Sequence, residues 1–217
     1  MDSTKPENLI SYTNIEVDGN VLENIGDYKA DGDISFNIGQ DYTDVDGMIT
    51  NVPGICLVTS YADCVPLYFV DPVKKVIGLS HSGWRGTVGK IGKVTVEKME
   101  EEFGCDPADI LGAVGPSICQ DCYEVSEDVI KKFRENYDEN LWPEIFYQKE
   151  NGKYQLNLWK ANELIFLESG ILPEHMAITN VCTHCNSKIL YSHRTMGNNR
   201  GNLCAFLALK EEVDQWI

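Results

Sequence analysis

Cys64 and His81 are the two residues in this chain whose types and positions are best suited to chemistry. Cys64 stands just ahead of the apolar run 65–70, and His81 follows the apolar run 76–79. If both runs are strands, a turn at 71–72 makes them neighbours and brings the thiol and the imidazole together. Such a pair can attack an electrophile with the histidine as base, or it can bind a zinc ion that activates water.

Three residues beside this pair have side chains that suit a substrate contact. Asp63 can orient His81 or a substrate, or it can cap the turn before the strand. The guanidinium fork of Arg85 can bind the oxygens of an anion in pairs, or it can form an internal salt bridge. Trp84 can stack on a planar ligand or pack into the core. The residues alone leave each of these alternatives open.

The elements that must position these residues follow from apolar patterning. Short apolar runs predict strands at 55–59, 65–70 and 76–80, and helical spacing of apolar residues predicts a helix over 87–103. Three later segments also have strand-like patterns, at 176–179, 189–191 and 203–209. Strands and helices without strict βαβ alternation predict an α+β sandwich. A length of 217 residues fits a single domain over 1–217.

The composition limits the classes of partner that the protein can be expected to bind. A formal net charge of −16 opposes contact with phosphate backbones and anionic membranes, so nucleic acid and membrane surfaces are not expected partners. No segment has the apolar length of a membrane helix, and the start, MDSTKPENLI, lacks the parts of a signal peptide. We therefore expect a cytoplasmic protein, with association into a homo-oligomer left open.

Eight cysteines in such a chain are expected to be thiols or metal ligands rather than disulfides. Two C-x-x-C pairs, Cys119 with Cys122 and Cys182 with Cys185, match a zinc-site signature in the number and type of ligands. The two pairs are much farther apart in the chain than in a zinc ribbon. The sequence therefore favours buried or reactive thiols at these positions, with structural zinc as the second interpretation.

Several motifs in one order carry a resemblance to a known family. They are SFNIG from Ser35, ADCVP around Cys64, HSGWRGT from His81, GPSI with CYEVSEDV, and CT followed by YSHR and NNRG. With these motifs the chain resembles the laccase-domain proteins, which are also called multicopper polyphenol oxidases, purine nucleoside phosphorylases or peptidoglycan-editing factors. The resemblance runs from Ser35 to the C-terminus.

The resemblance implies a site, a fold and an activity. Cys64 and His81 match the cysteine and the second histidine that bind the family's catalytic zinc, while Arg194 and Asn37 match positions near its substrate. The implied fold is an αββα-type sandwich of mixed sheets with outer helices, similar to cysteine hydrolases of the cytotoxic-necrotizing-factor type. The implied activity is zinc-dependent phosphorolysis of adenosine, inosine and methylthioadenosine, together with deamination of adenosine. Purine nucleoside and phosphate are then the expected partners.

The chain departs from the family at one point. The family's first metal-binding histidine lies in a QVHG segment, whereas here SFNIGQ runs almost directly into DYTDVDG and no histidine precedes His81. We therefore expect residues to be missing relative to the family between positions 40 and 41. Catalytic zinc sites usually have three protein ligands, so the third ligand is the open point of the predicted site.

Two other functions stay open from the residues. The first is a metal-free cysteine hydrolase that acts on an amide such as a peptidoglycan precursor, with Cys64 as nucleophile and His81 as base. The second is a binding module whose cysteines are structural. Copper is the alternative metal, but multicopper oxidation needs several histidine-rich sites, and the whole chain has four histidines.

Overall fold

The computed structural model describes residues 9–12 and 46–210 of the chain. Helices and strands are mixed along it, which confirms the predicted α+β class. The strands are β1 Leu9–Tyr12, β2 Gly47–Thr50, β3 Cys56–Tyr61, β4 Val65–Asp71, β5 Val76–Ser82, β6 Leu111–Val114, β7 Glu124–Val125, β8 Phe146–Gln148, β9 Tyr154–Leu156, β10 Met176–Ile178 and β11 Leu203–Ala208. The α-helices are α1 Trp84–Val88, α2 Ile91–Phe103, α3 Glu127–Asn136, α4 Trp142–Ile145, α5 Leu158–Glu168 and α6 His193–Met196.

A six-stranded mixed sheet forms the centre of the fold, in the order β1-β2-β5-β4-β6-β10. Neighbouring strands are antiparallel except β6 and β10, which run parallel. β4 and β5 lie in the middle and are buried almost throughout, as expected of strands that are covered on both faces. A second sheet pairs β3 with β11, and a third has the order β7-β9-β8.

Two apolar clusters hold these layers together. The larger cluster joins the central sheet to the helices, and its fully buried members include Leu67, Phe69, Ile91 and Ile165. The smaller cluster lies between the central sheet and the β3–β11 sheet and has Leu79 at its centre. Helices and a small sheet therefore enclose β4 and β5, whose ends carry the candidate site.

Two of the predicted elements differ from the observed ones. The helix predicted over 87–103 starts earlier, at Trp84, and is broken where Lys90 takes a left-handed φ of 54° between α1 and α2. The segment 189–191, predicted as a strand, lies in an irregular turn, and Ile189 is 81% exposed. The short apolar run there has no neighbouring sheet to cover it, so it does not specify a strand.

A buried polar network fixes the loop that follows β5. The Ser82 hydroxyl donates to Asn162 Oδ1 of α5 at 2.9 Å and shares a second 2.9 Å hydrogen bond with the Thr87 hydroxyl. Asn162 in turn donates to the Leu158 carbonyl at 2.8 Å. Because buried hydroxyl and amide groups must be hydrogen-bonded, this network holds α1 and the end of β5 against α5, directly beside His81.

Candidate active site

The hairpin of β4 and β5 brings Cys64 and His81 together. Pro66 lies opposite His81 in the ladder, and Val65 lies opposite Ser82. Cys64 precedes β4 and packs against Gly83, where an added Cβ would lie 3.1 Å from the sulfur. The predicted juxtaposition of thiol and imidazole is confirmed, while their catalytic and metal-binding roles stay predictions.

Asp46 orients the imidazole of His81. The His81 Nδ1 lies 3.3 Å from the Asp46 carboxylate, and the His81 amide donates to the Asp46 carbonyl oxygen at 2.7 Å. Burial disfavours the charged ring, but the carboxylate and the nearby Cys64 sulfur outweigh that effect and raise the pKa of His81 to about 10. The imidazole therefore holds a proton near neutral pH.

The chemistry of these donors fits part of a metal site. His81 Nε2 is buried and has no hydrogen-bond partner, and the opposite ring nitrogen faces a carboxylate, as is usual for metal-binding histidines. The Cys64 sulfur supplies a second ligand of the type that zinc prefers. Among residues 46–210, no third histidine, cysteine or carboxylate joins these two in a cluster. The pair therefore has the donor atoms of two of the three ligands that a catalytic zinc site usually has, and its binding of zinc stays a prediction.

Asp63 connects three segments of the chain through its carboxylate. One oxygen accepts a hydrogen bond from the Thr183 hydroxyl at 2.6 Å; the other accepts from the Ser192 hydroxyl at 3.1 Å and from the Arg194 amide at 2.6 Å. The Asp63 carbonyl also accepts from the Ile118 amide at 3.0 Å. The carboxylate is therefore occupied with protein donors, and its contact with a substrate stays a prediction.

A cavity of about 110 Å³ opens beside Cys64. It is lined by Ala62, Asp63, Cys64, Tyr123, Leu158, His193 and Arg194. Burial, and after it the nearby Cys64 sulfur, raise the pKa of Tyr123 to about 12. Tyr123 is therefore a neutral phenol at the wall of this cavity.

The two predicted arginines have different surroundings. The Arg194 guanidinium lies over the Tyr123 ring, 5.3 Å from its centroid, and donates twice to the Glu124 carbonyl at 3.0 Å. Arg85 is exposed and stacks on Trp84 at 4.3 Å, and no carboxylate within the described ranges pairs with its guanidinium. Arg194 is thus anchored beside the cavity, whereas Arg85 keeps its donors available.

Some predicted features lie outside the described residues, and some site residues were not predicted. Asn37 and the junction of 40 with 41 both fall outside the described ranges.

Asp46 was not predicted from the sequence because its contact with His81 is set by the pairing of β2 with β5. Tyr123 stands within the CYEVSEDV motif, and its position in that motif was the available signal.

The fold and the site define an α+β protein with a thiol and an imidazole at the end of a central hairpin. The chain belongs to the family described as multi-copper polyphenol oxidoreductase laccase, which it matches over residues 16–210. The resemblance drawn from the motifs is confirmed.

Relatives of known structure or curated name agree with this family. The chain is 37% identical to purine nucleoside phosphorylase YlmD of Bacillus subtilis, over 76% of this chain and 59% of the relative. It is 36% identical to a protein named adenosine deaminase RL5, from an unknown prokaryotic organism, over 72% of this chain and 59% of that protein. The crystal structure of YlmD from Geobacillus stearothermophilus superposes with a TM-score of 0.73 at 35% identity, covering 76% of this chain and 61% of that one.

The match spans about three fifths of the length of these relatives. The substrates that these names indicate are those of the relatives. Within the described residues, no helix is long and apolar enough to cross a bilayer.

Proposed function

We propose that this protein is a zinc-dependent purine nucleoside phosphorylase for adenosine, inosine and methylthioadenosine, with deamination of adenosine as a second activity. The observation that carries the proposal is the Cys64–His81 pair, with Asp46 behind the imidazole and a cavity in front of the thiol. The names of the relatives support the same substrate class.

In phosphorolysis, a phosphate oxygen forms a bond to C1′ of the ribose while the bond from C1′ to the purine nitrogen breaks. The bonding electrons leave with the purine, which takes up the proton released by the phosphate. The products are ribose 1-phosphate and the free base. In deamination, water replaces the amino group at C6 and ammonia leaves. Both reactions need a polarised purine, and phosphorolysis also needs a cationic site for phosphate.

The residues around the cavity suit these tasks. Tyr123 has an aromatic ring and a neutral hydroxyl at the cavity wall, which suits a purine. Arg85 has available donors for a phosphate, and Arg194 provides a second positive charge beside Tyr123. The cavity is smaller than the roughly 300 Å³ of a typical small-ligand pocket, so it would hold one part of the nucleoside while the rest lies over the exposed side chains.

Cys64 and His81 would hold the zinc ion through Sγ and Nε2. When bound, zinc supplies a Lewis acid and activates water. Asp46 keeps the other nitrogen of the imidazole occupied and so directs Nε2 toward the thiol side. Because the His81 ring holds a proton near neutral pH, zinc has to displace that proton, and we expect its affinity to fall as the pH falls.

The test is a product assay with defined metal content. The full chain, loaded with zinc, is incubated with adenosine and phosphate, and the products are separated by chromatography. We expect adenine and ribose 1-phosphate, and inosine when phosphate is omitted. Cys64→Ala and His81→Ala should abolish both activities, whereas Cys56→Ala, which alters an exposed cysteine on β3, should leave them unchanged. Absence of all these products from the zinc-loaded protein would refute the proposal.

Metal removal separates the proposal from its alternatives. Chelation should abolish turnover and zinc should restore it; restoration by copper alone would identify copper as the metal. Activity on an amide substrate that survives chelation but is lost on alkylation of Cys64 would instead support the metal-free cysteine hydrolase. Nucleoside binding without turnover, unaffected by either alanine substitution, would support a binding module.

The two arginines can be tested separately by conservative changes. Arg85→Lys keeps the charge but removes the fork, so we expect the KM for phosphate to rise by about tenfold with little change in the KM for adenosine. Arg194→Lys loses both hydrogen bonds to the Glu124 carbonyl and should lower kcat/KM for either substrate. Equal effects of the two substitutions on the KM for phosphate would contradict the separate roles of Arg85 and Arg194.

A further inference from the structure

The two C-x-x-C pairs, which are distant in the chain, meet at one edge of the central sheet. β6 and β10 are parallel neighbours, so the segments that follow the two strands leave the sheet at the same end. The pairing extends past the strands: Ser117 and Cys182 form a further parallel bridge, closed by hydrogen bonds of 3.1 Å from the Ser117 amide to the Val181 carbonyl and from the Thr183 amide to the Ser117 carbonyl. One pair follows β6 and the other follows β10, so the topology places them side by side.

The four sulfur atoms form a compact group. The Sγ atoms of Cys119, Cys122, Cys182 and Cys185 all lie within 4.8 Å of one another, and those of Cys122 and Cys185 are 3.5 Å apart. A tetrahedral zinc ion with bonds of about 2.3 Å needs sulfurs separated by about 3.8 Å. The arrangement therefore requires only small side-chain movements to surround such an ion.

Backbone donors are already directed at this group. The Cys182 sulfur accepts hydrogen bonds from the amides of Cys119 at 3.3 Å and Cys185 at 3.4 Å. Amide donors to sulfur stabilise the thiolate form, which is the form that binds a metal. Disulfides would account for the sulfurs only in separate pairs, whereas here all four sulfurs converge on one point.

We propose that Cys119, Cys122, Cys182 and Cys185 bind a structural zinc ion, distinct from the ion proposed at Cys64 and His81. Four thiolates complete the tetrahedron and leave no open position, so this ion takes no part in turnover. All-sulfur tetrahedral sites take zinc or iron, and the experiment below distinguishes the two.

The position of this site explains what the ion does for the protein. Tyr123 directly follows Cys122 and lines the cavity, and Thr183 directly follows Cys182 and donates to Asp63. The ion fastens together the two turns that carry these residues. It thereby stabilises one wall of the candidate active site from behind.

The first measurement is zinc content in a chain that lacks the other metal-binding residues. The double variant Cys64→Ala/His81→Ala, purified under reducing conditions without chelator, should retain about one zinc per chain, as expected for a closed four-thiolate site. Adding Cys119→Ser and Cys185→Ser should remove it. Adding Cys56→Ser and Cys204→Ser, two exposed cysteines outside the cluster, should not. Because metal content is read without any activity assay, the result is independent of the proposed function.

The second measurement uses cobalt as a spectroscopic probe, both in the unsubstituted chain and in the Cys64→Ala/His81→Ala variant. Cobalt exchanged into the chain should show the visible bands of tetrahedral coordination together with strong thiolate charge-transfer absorption. The same bands should persist in the Cys64→Ala/His81→Ala variant. A folded double variant without bound metal after incubation with zinc would overturn the proposal. So would iron as the retained metal, or a disulfide between Cys122 and Cys185 in protein purified without oxygen.

Discussion

His81 is bound to Asp46 at two points, through its backbone amide at 2.7 Å and through its Nδ1 at 3.3 Å from the carboxylate. The first contact continues the pairing of β2 with β5 and survives a change of side chain. The second orients the ring and acts on its charge. Substitution of the Asp46 side chain therefore isolates the effect of the carboxylate on the imidazole.

We expect Asp46→Asn to lower both zinc affinity at the Cys64–His81 site and kcat/KM by roughly 10-fold to 100-fold, the usual effect of losing the partner of a metal-binding histidine. The pKa of His81 should fall, because an amide no longer favours the charged ring. Titration of the imidazole by NMR measures that shift directly. Glu174→Gln, which alters an exposed carboxyl, provides the control. An unchanged pKa in Asp46→Asn would show that Asp46 does not act on His81.

Two substitutions of Asp63 should destabilise the fold to different extents. Asp63 has a left-handed φ of 78°, a conformation that asparagine and aspartate tolerate better than other side chains. Asp63→Asn should lower the free energy of unfolding by about 2 kcal/mol because a charged acceptor is lost. Asp63→Ala should cost more, since it also leaves the Thr183 and Ser192 hydroxyls without their acceptor and strains the backbone. Urea unfolding measures both, and equal losses would contradict this ordering.

Gly83→Ala should displace the Cys64 sulfur. An added Cβ would lie 3.1 Å from Sγ, whereas the φ of −70° at this position accepts any residue. We expect kcat/KM to fall by up to about tenfold, since small displacements of reacting groups are costly. The effect of Gly83→Ala on stability should disappear in a Cys64→Ala background, where the crowded atom is absent. A persistent loss of stability there would point to another clash.

Glu168 should stabilise the fold in a pH-dependent way. Burial disfavours its charge, but hydrogen bonds from Lys90 and Lys93 outweigh this effect and lower the pKa of its carboxyl. A lowered pKa means that the stabilisation is present above the ordinary pKa of glutamate and is lost as the pH falls through the lowered value. Glu168→Gln should therefore cost about 0.5 kcal/mol at pH 7, since the pair is partly exposed, and nothing in strong acid. Urea unfolding at both pH values checks this, and a loss that persists in acid would contradict it.

The central hairpin could be predicted because its physical cause is local. The runs 65–70 and 76–80 are apolar enough to be buried on both faces, and Asp71 accepts hydrogen bonds from two amides of the intervening turn at 2.8 Å. Once the hairpin is given, the juxtaposition of Cys64 and His81 follows from the register alone.

Other parts of the site depend on contacts that no local pattern specifies. The approach of Cys119 to Cys182 results from the parallel pairing of β6 with β10, and periodicity does not reveal which strands become neighbours. For the same reason, sequence spacing alone made a shared zinc site the second interpretation. The break at Lys90 was missed because Gly89 and Lys90 interrupt an apolar spacing that otherwise continues through α2. The segment 189–191 has the composition of a strand but no neighbouring sheet.

The carboxylate of Asp63 limits which residues around the cavity can change among related proteins. Thr183 and Ser192 donate to it through their hydroxyls, so a change at either side chain perturbs both the binding wall and the fold, whereas Arg194 donates through its backbone amide. Arg85 and His193 are exposed and make none of these bonds. Of the two, His193 lines the cavity, so related proteins with altered nucleoside preference should differ first there, where a new side chain leaves these hydrogen bonds intact.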